Sequence, residues 1–208
     1  AWSVPARWTM GLLEPTDWTA QWIGAEKVFA RQEGWPPPDN DVPDPWLRRT
    51  FTLDDKPRRA TIYVASVGYH ELYVNGTKVG DAVLSPSVAN HRKRARYVTY
   101  EIGDHLKQGR NVIGLWLGVS WSIFPQYKTP DKPQTPMVLA QADVGLSSGQ
   151  SVRIATDATW RTHPSPNTLL GVWDFMHFGG ELYDANKEIP GWCEPEFDDS
   201  TWQPATVY

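Results

Sequence analysis

Cysteine is all but missing from this chain: of 208 residues, only Cys193 carries a thiol. One thiol closes no internal disulfide and cannot supply a cysteine cluster for zinc. Long apolar runs are missing too. Nothing approaches the roughly 20 residues a helix needs to cross a bilayer, so no membrane partner is expected. Positive charge is not in excess either: 20 Lys and Arg against 24 Asp and Glu leave a net charge of −4. That balance argues against nucleic acid or an anionic lipid surface as partner. Neither G-x-x-x-x-G-K nor G-x-G-x-x-G occurs, which removes the usual phosphate-cradling loops. No charged-then-apolar leader precedes Ala1, and the chain is expected to be processed or cut from something longer. A lone cysteine fits either redox compartment, so localisation is left unassigned.

What the chain has in quantity is tryptophan, 12 residues, and proline, 18. Its apolar residues alternate with period two far more often than they recur every three or four positions. In ATIYVAS, Ala60, Ile62 and Val64 share one face. In HELYVNGTKV, His70, Leu72 and Val74 alternate with Glu71 and Tyr73 before Asn75-Gly76, the dipeptide of a tight type I′ turn; a β-hairpin follows. Further strands are expected at Leu47 to Leu53, Tyr97 to Ile102, Asn111 to Leu117, Met137 to Leu146, Gln150 to Ala155 and Glu181 to Lys187. Leu146-Ser147-Ser148-Gly149 suggests a second hairpin. Asp104 to Gln108 reads as one capped turn, with Asp104 as N-cap and Gly109 as the stop. Many short strands and very little helix mean an all-β sandwich or barrel.

Two stretches, Trp35 to Pro45 (WPPPDNDVPDP) and Pro125 to Pro136 (PQYKTPDKPQTP), are punctuated by proline. Proline fixes φ and removes a donor, so both are expected as stiff surface loops or edge straps rather than central strands. Stiff loops are places where a scaffold carries binding groups. The stretch from Ser151 to Phe178 is otherwise poorly patterned.

Catalytic motifs fail on inspection. His70-Glu71 begins like H-E-x-x-H, but Val74 stands where the second histidine belongs. Gly118-Val119-Ser120-Trp121-Ser122 lacks the last glycine of a nucleophile elbow, and Pro125 leaves little room for its helix. The basic run His91 to Arg96 reads as a solvated strand entrance. Asn75-Gly76-Thr77 spells a glycosylation sequon, which the turn explains better. Asp39, Asp41 and Asp44 offer hard oxygen ligands suited to calcium, although the full EF-hand pattern fails. No other metal or cofactor is expected.

Three blocks in series resemble one family: WTMGLLEPTDWTAQWIG from Trp8, SVGYHELYVNGTKVGDAVLSPSVANHRKRARYVTYEIGDHLKQGRNVIGLWLG from Ser66, and GGELYDANKEIPGWCEPEFDDSTWQPA from Gly179. In this order they look like the region ahead of the catalytic domain in bacterial α-L-rhamnosidases of glycoside hydrolase family 78. The third block is the narrowest signal. The resemblance implies a jelly-roll, galactose-binding-like β-sandwich, with residues 1–17 as a linker or edge segment from a preceding domain and 18–208 as the accessory domain. It also implies that hydrolysis occurs in a separate (α/α)₆ barrel of the same parent chain, by inversion with two glutamates. No catalytic residue is therefore assigned here. Some members of this domain class bind L-rhamnose with calcium, and others only brace the barrel. Asn186 stands where relatives usually carry Arg, and Val119-Ser120-Trp121 replaces a usual Gly-Trp pair.

A sugar offers hydroxyls at its edges and C–H groups on its faces, so it is held by an aromatic platform and a few fixed polar groups. Aromatics outside the alternating core positions are the candidates: Trp121 and Tyr127, near Phe124, and Trp173, near Phe175 and Phe178. Glu181 and Asp184 follow the second cluster. Three places apart in a strand, they would point to opposite faces, which disfavours a catalytic pair. Trp2, Trp8 and Trp18 are expected to pack on a neighbouring domain.

Overall fold

In a computed structural model of the chain, the described residues are 3–5, 8, 10–26, 43–119, 135–170 and 180–208. Among them two antiparallel sheets face each other, forming an all-β sandwich of jelly-roll type. Sheet A contains β1 (Ile23–Gly24), β3 (Pro57–Val67), β6 (Tyr97–Glu101), β8 (Met137–Leu146), β9 (Ser151–Ala155) and β13 (Thr206–Val207). Its order is β13-β1-β8-β3-β6, with β9 also paired to β8. Sheet B contains β2 (Pro43–Leu53), β4 (Tyr69–Val74), β5 (Thr77–Lys78), β7 (Gly109–Gly118), β10 (Arg161–Leu170), β11 (Gly180–Tyr183) and β12 (Gln203–Pro204). Its order is β11-β10-β2-β7-β4-β5, with β12 against β10. Helix is confined to three 3₁₀ turns among the described residues.

Alternation explains the core. Ala60, Ile62 and Val64 from sheet A meet Leu47, Leu72, Val74, Ile113, Leu115 and Leu117 from sheet B, all buried. Removing these side chains from water is the main force holding the sheets together. Both outer faces are covered too. On sheet A, Trp18 sets its edge against Tyr63 and Tyr97. Thr19 donates to Gln141 Oε1 through its N–H and its hydroxyl, and the Tyr97 hydroxyl donates to Leu12 O. Trp18 thus packs against sheet A, whereas Trp8 is exposed. This cover is why β3 is buried continuously from Ala60 to Ser66 instead of on alternate residues.

On sheet B, residues 188–202 lie across the outer face. Trp192 and Trp202 stack on Trp46, with centroids 4.9 and 6.4 Å apart. Beneath them Arg48 is fully buried, paired with Asp199, bonded to Glu194 O at 3.0 Å and set over the Phe197 ring. The fit depends on Gly114, where a Cβ would stand 2.5 Å from Cys193 Sγ.

The Asn75-Gly76 hairpin is present, both residues with positive φ (49° and 82°) as a type I′ turn requires. The Asn75 amide is fully engaged: Nδ2 donates to His105 O and Asn111 Oδ1, and Oδ1 accepts from Val112 N–H. The second hairpin joins β8 to β9, with Gly149 at φ 87°. Elsewhere the structure corrects the sequence expectations. Pro43-Asp44-Pro45 open β2, which lies between β7 and β10, so the end of the first proline stretch belongs to a central strand. Proline is tolerated there because β7 pairs only from Trp46 onward, and a bulge lies between Pro164 and Thr168 on the β10 side. β10 itself, with Pro164 and Pro166, runs through the poorly patterned stretch. The turn at Gly103–His105 starts after Ile102, and Asp104 makes no cap. β11 ends at Tyr183, where Asp184 caps a 3₁₀ turn over Ala185–Lys187.

Candidate functional site

Beside the tryptophan stack, the outer face of sheet B opens into a cleft of about 200 Å³. Strand pairing assembles it. Glu71 of β4 lies opposite Trp116 of β7, which lies opposite Trp46 of β2, so their side chains share the outer face. Two positions before Trp46, Asp44 points to the same face. From the other side β10 and β11 bring Asn167 and Glu181, whose side chains bond at 3.1 Å. Trp116 is partly exposed and meets Trp46 edge to face at 5.6 Å. Val83 and Leu84 form the rim.

Asp44 is the anomaly. It is buried to 1% exposure, and neither carboxyl oxygen has a hydrogen-bond partner of good geometry. Burial first, and then the charge of Glu181, push its carboxyl well above the usual carboxylate range; the Val119 amide offsets only part of this. Glu181 is exposed along its strand, yet its carboxyl turns into the cleft, where desolvation raises its pKa. Glu71 is oriented by the Tyr73 hydroxyl at 2.8 Å and paired with Lys78. Behind the cleft, buried His70 binds Ser66 Oγ at 2.9 Å through Nδ1 and Tyr100 OH at 3.0 Å through Nε2. Burial lowers its pKa to about 4, so the ring is neutral and structural at neutral pH.

Of the residues singled out in the sequence, Glu181 and Asp44 line this cleft. Asp184 does not line it: its Oδ1 accepts from the Asn186 N–H and side-chain amide, which holds the carboxyl below the usual range. Trp121, Tyr127 and Trp173 lie outside the described residues, as do Ser120, Phe124, Phe175, Phe178, Asp39, Asp41 and Trp2. Among the described residues no group of three or more His, Cys, Asp or Glu is arranged to hold a metal ion. No helix there is long and apolar enough to cross a membrane. Glu71, Trp116 and Asn167 were not singled out, because alternation alone marks them only as an outward strand face. The signal for Asp44 was an acid wedged between two prolines at the start of an apolar strand.

Comparison with known proteins decides the family. The profile described as "Alpha-L-rhamnosidase N-terminal domain" matches residues 55–208. The chain belongs to that family. An α-L-rhamnosidase of Formosa agariphila is 30% identical over 218 residues, covering 100% of this chain and 22% of its own. One from Streptomyces avermitilis is 32% identical over 162 residues, covering 75% and 15%. Among solved structures, the α-L-rhamnosidase from Dictyoglumus thermophilum superposes with a TM-score of 0.80 at 32% identity, over 95% of this chain and 22% of that one. The Streptomyces avermitilis enzyme, solved in complex with L-rhamnose, gives 0.69 at 31% identity, over 80% and 16%. A Pleurotus ostreatus lectin shares the fold at 17% identity, with a TM-score of 0.54 over 90% and 41%. This chain therefore spans about a fifth of the length of the curated rhamnosidases it matches first.

Proposed function

We propose that this chain is a non-catalytic module of an α-L-rhamnosidase that binds rhamnose-bearing glycans in the Asp44–Glu181 cleft. Hydrolysis of terminal α-L-rhamnosyl residues would then fall to another domain of the same polypeptide. The observation that carries the reading is Asp44, a buried carboxyl without a hydrogen bond of good geometry among the described residues, at a cleft that also holds a partly exposed tryptophan. A protein bears such a cost where a ligand recovers it. The Trp116 ring offers a face for sugar C–H groups. Glu71, Asn167 and Glu181 offer acceptors and a donor for hydroxyls; the Tyr73 hydroxyl fixes Glu71, and the Asn167–Glu181 bond fixes the other two, before a ligand arrives.

Asp44 and Glu181 resemble the carboxylate pair of a glycosidase, but the resemblance is incomplete. Such a pair needs one ionised carboxylate within reach of water or of the anomeric carbon. Burial raises the pKa of both carboxyls, and among the described residues neither has a cation beside it that would favour its charged form. The cleft is thus suited to holding a sugar rather than cleaving one. A bracing role is a second reading, favoured by exposed Val4, Trp8, Met10 and Leu13 in the N-terminal segment, which could pack against a catalytic barrel.

Isothermal titration with L-rhamnose separates the two readings. We expect saturable binding that Glu181→Gln or Trp116→Ala weakens at least tenfold; the absence of heat at millimolar sugar would leave the brace. Repeating the titration with calcium and then chelator shows whether a cation takes part. Aryl α-L-rhamnoside should not be turned over, and turnover abolished by Glu181→Gln would overturn the non-catalytic assignment.

A further inference from the structure

The cleft combines polar and apolar groups. Asp44, Glu71, Asn167 and Glu181 supply the polar lining, whereas Val83 and Leu84 stand on its rim, 72% and 69% exposed. Two bulky aliphatic side chains, adjacent in the chain, thus stand exposed beside a group of acids. Their presentation is also held in place. Leu84 has φ 54°, a left-handed backbone that a leucine adopts only against steric cost. The next residue is anchored, its Ser85 O accepting from the His70 N–H at 2.8 Å. His70 is itself pinned between Ser66 and Tyr100. Backbone strain held by a tied-down neighbour, at the mouth of a cleft, marks a place where side-chain direction matters.

We propose that Val83 and Leu84 read the C6 methyl group of a 6-deoxyhexose, the feature by which L-rhamnose differs from L-mannose. The inference rests on the reading of the cleft as a sugar site and adds its selectivity. A ligand that fits is hydroxylated where it meets Glu71, Asn167 and Glu181 and apolar where it meets the rim. A hexose that keeps its C6 hydroxyl would place that group against Val83 and Leu84, which can neither donate nor accept. Desolvating a hydroxyl without a partner is unfavourable, while a methyl group gains from the same contact.

The test is calorimetric titration of the chain with L-rhamnose and L-mannose, repeated on Leu84→Asn and on Val83→Thr/Leu84→Asn. Asparagine suits the left-handed backbone better than leucine does, so these variants should fold. We expect the unmodified chain to prefer L-rhamnose by about tenfold, the usual scale for discrimination at one small apolar contact. The double variant should bring the two affinities within about twofold by weakening L-rhamnose alone, its retained L-mannose binding serving as the control for folding. Equal affinities in the unmodified chain, or a preference that survives in the double variant, would overturn the inference while leaving the sugar site standing. Failure to bind either sugar would overturn both.

Discussion

Asp44 and His70 are buried next to the same cleft and oppose each other in their response to pH. Asp44 has a raised pKa, so the folded chain holds its proton at pH values where the unfolded chain has released it. Its contribution to stability is full below the ordinary value near 3.8 and is lost as pH rises through the folded value. Replacing it with asparagine removes the charge and keeps the shape. Asp44→Asn should raise stability at pH 7–8 by about 2 kcal/mol. It should change little near pH 3.5, as followed by urea denaturation. His70 behaves in the reverse sense. Lowered from 6.5 to about 4, it binds a proton in the unfolded chain before the folded one, so stability is full above pH 6.5 and falls as pH drops toward 4. The loss amounts to about 3 kcal/mol. A His70→Gln variant, less stable at pH 7, should show a flatter profile between pH 4 and 6.5. A parallel profile would mean that the ring is not held neutral. Cys193 needs no such watch: burial raises its thiol to about 12, and it stays protonated and inert.

At the scale of elements, the contact that decides most is the lay of residues 188–202 on sheet B. Gly114→Ala would force a methyl group into the space of Cys193 and Trp192. We expect a loss of about 2 kcal/mol together with faster proteolysis between Glu188 and Trp202, since overpacking a filled contact displaces the softer partner. Unchanged melting and cleavage would show that the segment is not seated there. How much of this was legible beforehand differs by element. β8 was read end to end, from Met137 to Leu146, and the Asn75-Gly76 turn was read because its positive φ values admit few residue types. β10 was not, because Pro164 and Pro166 interrupt its alternation, and only pairing with a bulge makes them admissible. Asp44 was noticed as an acid but grouped with Asp39 and Asp41 as a cation ligand; its place over Glu181 depends on pairing between strands more than 100 residues apart, which no local pattern encodes. Asp184 was noticed as well, and its short spacing to Asn186 is that of a capping turn.

Across the whole molecule, the sandwich is closed by its two ends. The N-terminal segment covers sheet A, the C-terminal segment covers sheet B, and β1 pairs with β13 through Ile23 with Val207 and Gly24 with Thr206. Removing residues 1–17 would take away the Leu12 acceptor for Tyr97 and the Asp17 carbonyl that receives Gln141 Nε2 at 3.1 Å, leaving buried Gln141 short of a partner. We expect the shortened chain to melt about 5 °C lower by circular dichroism, the shift that about 2 kcal/mol gives in a domain of this size. An unchanged melting temperature would make those residues a passive lead-in. The indole stack adds an optical property. Near-parallel rings as close as Trp46 and Trp192 couple their electronic transitions, so the folded chain should give a paired positive and negative band in circular dichroism. Trp116 touches that stack on one side and the cleft on the other. Occupancy of the cleft should therefore be visible as a change of that doublet, without any label.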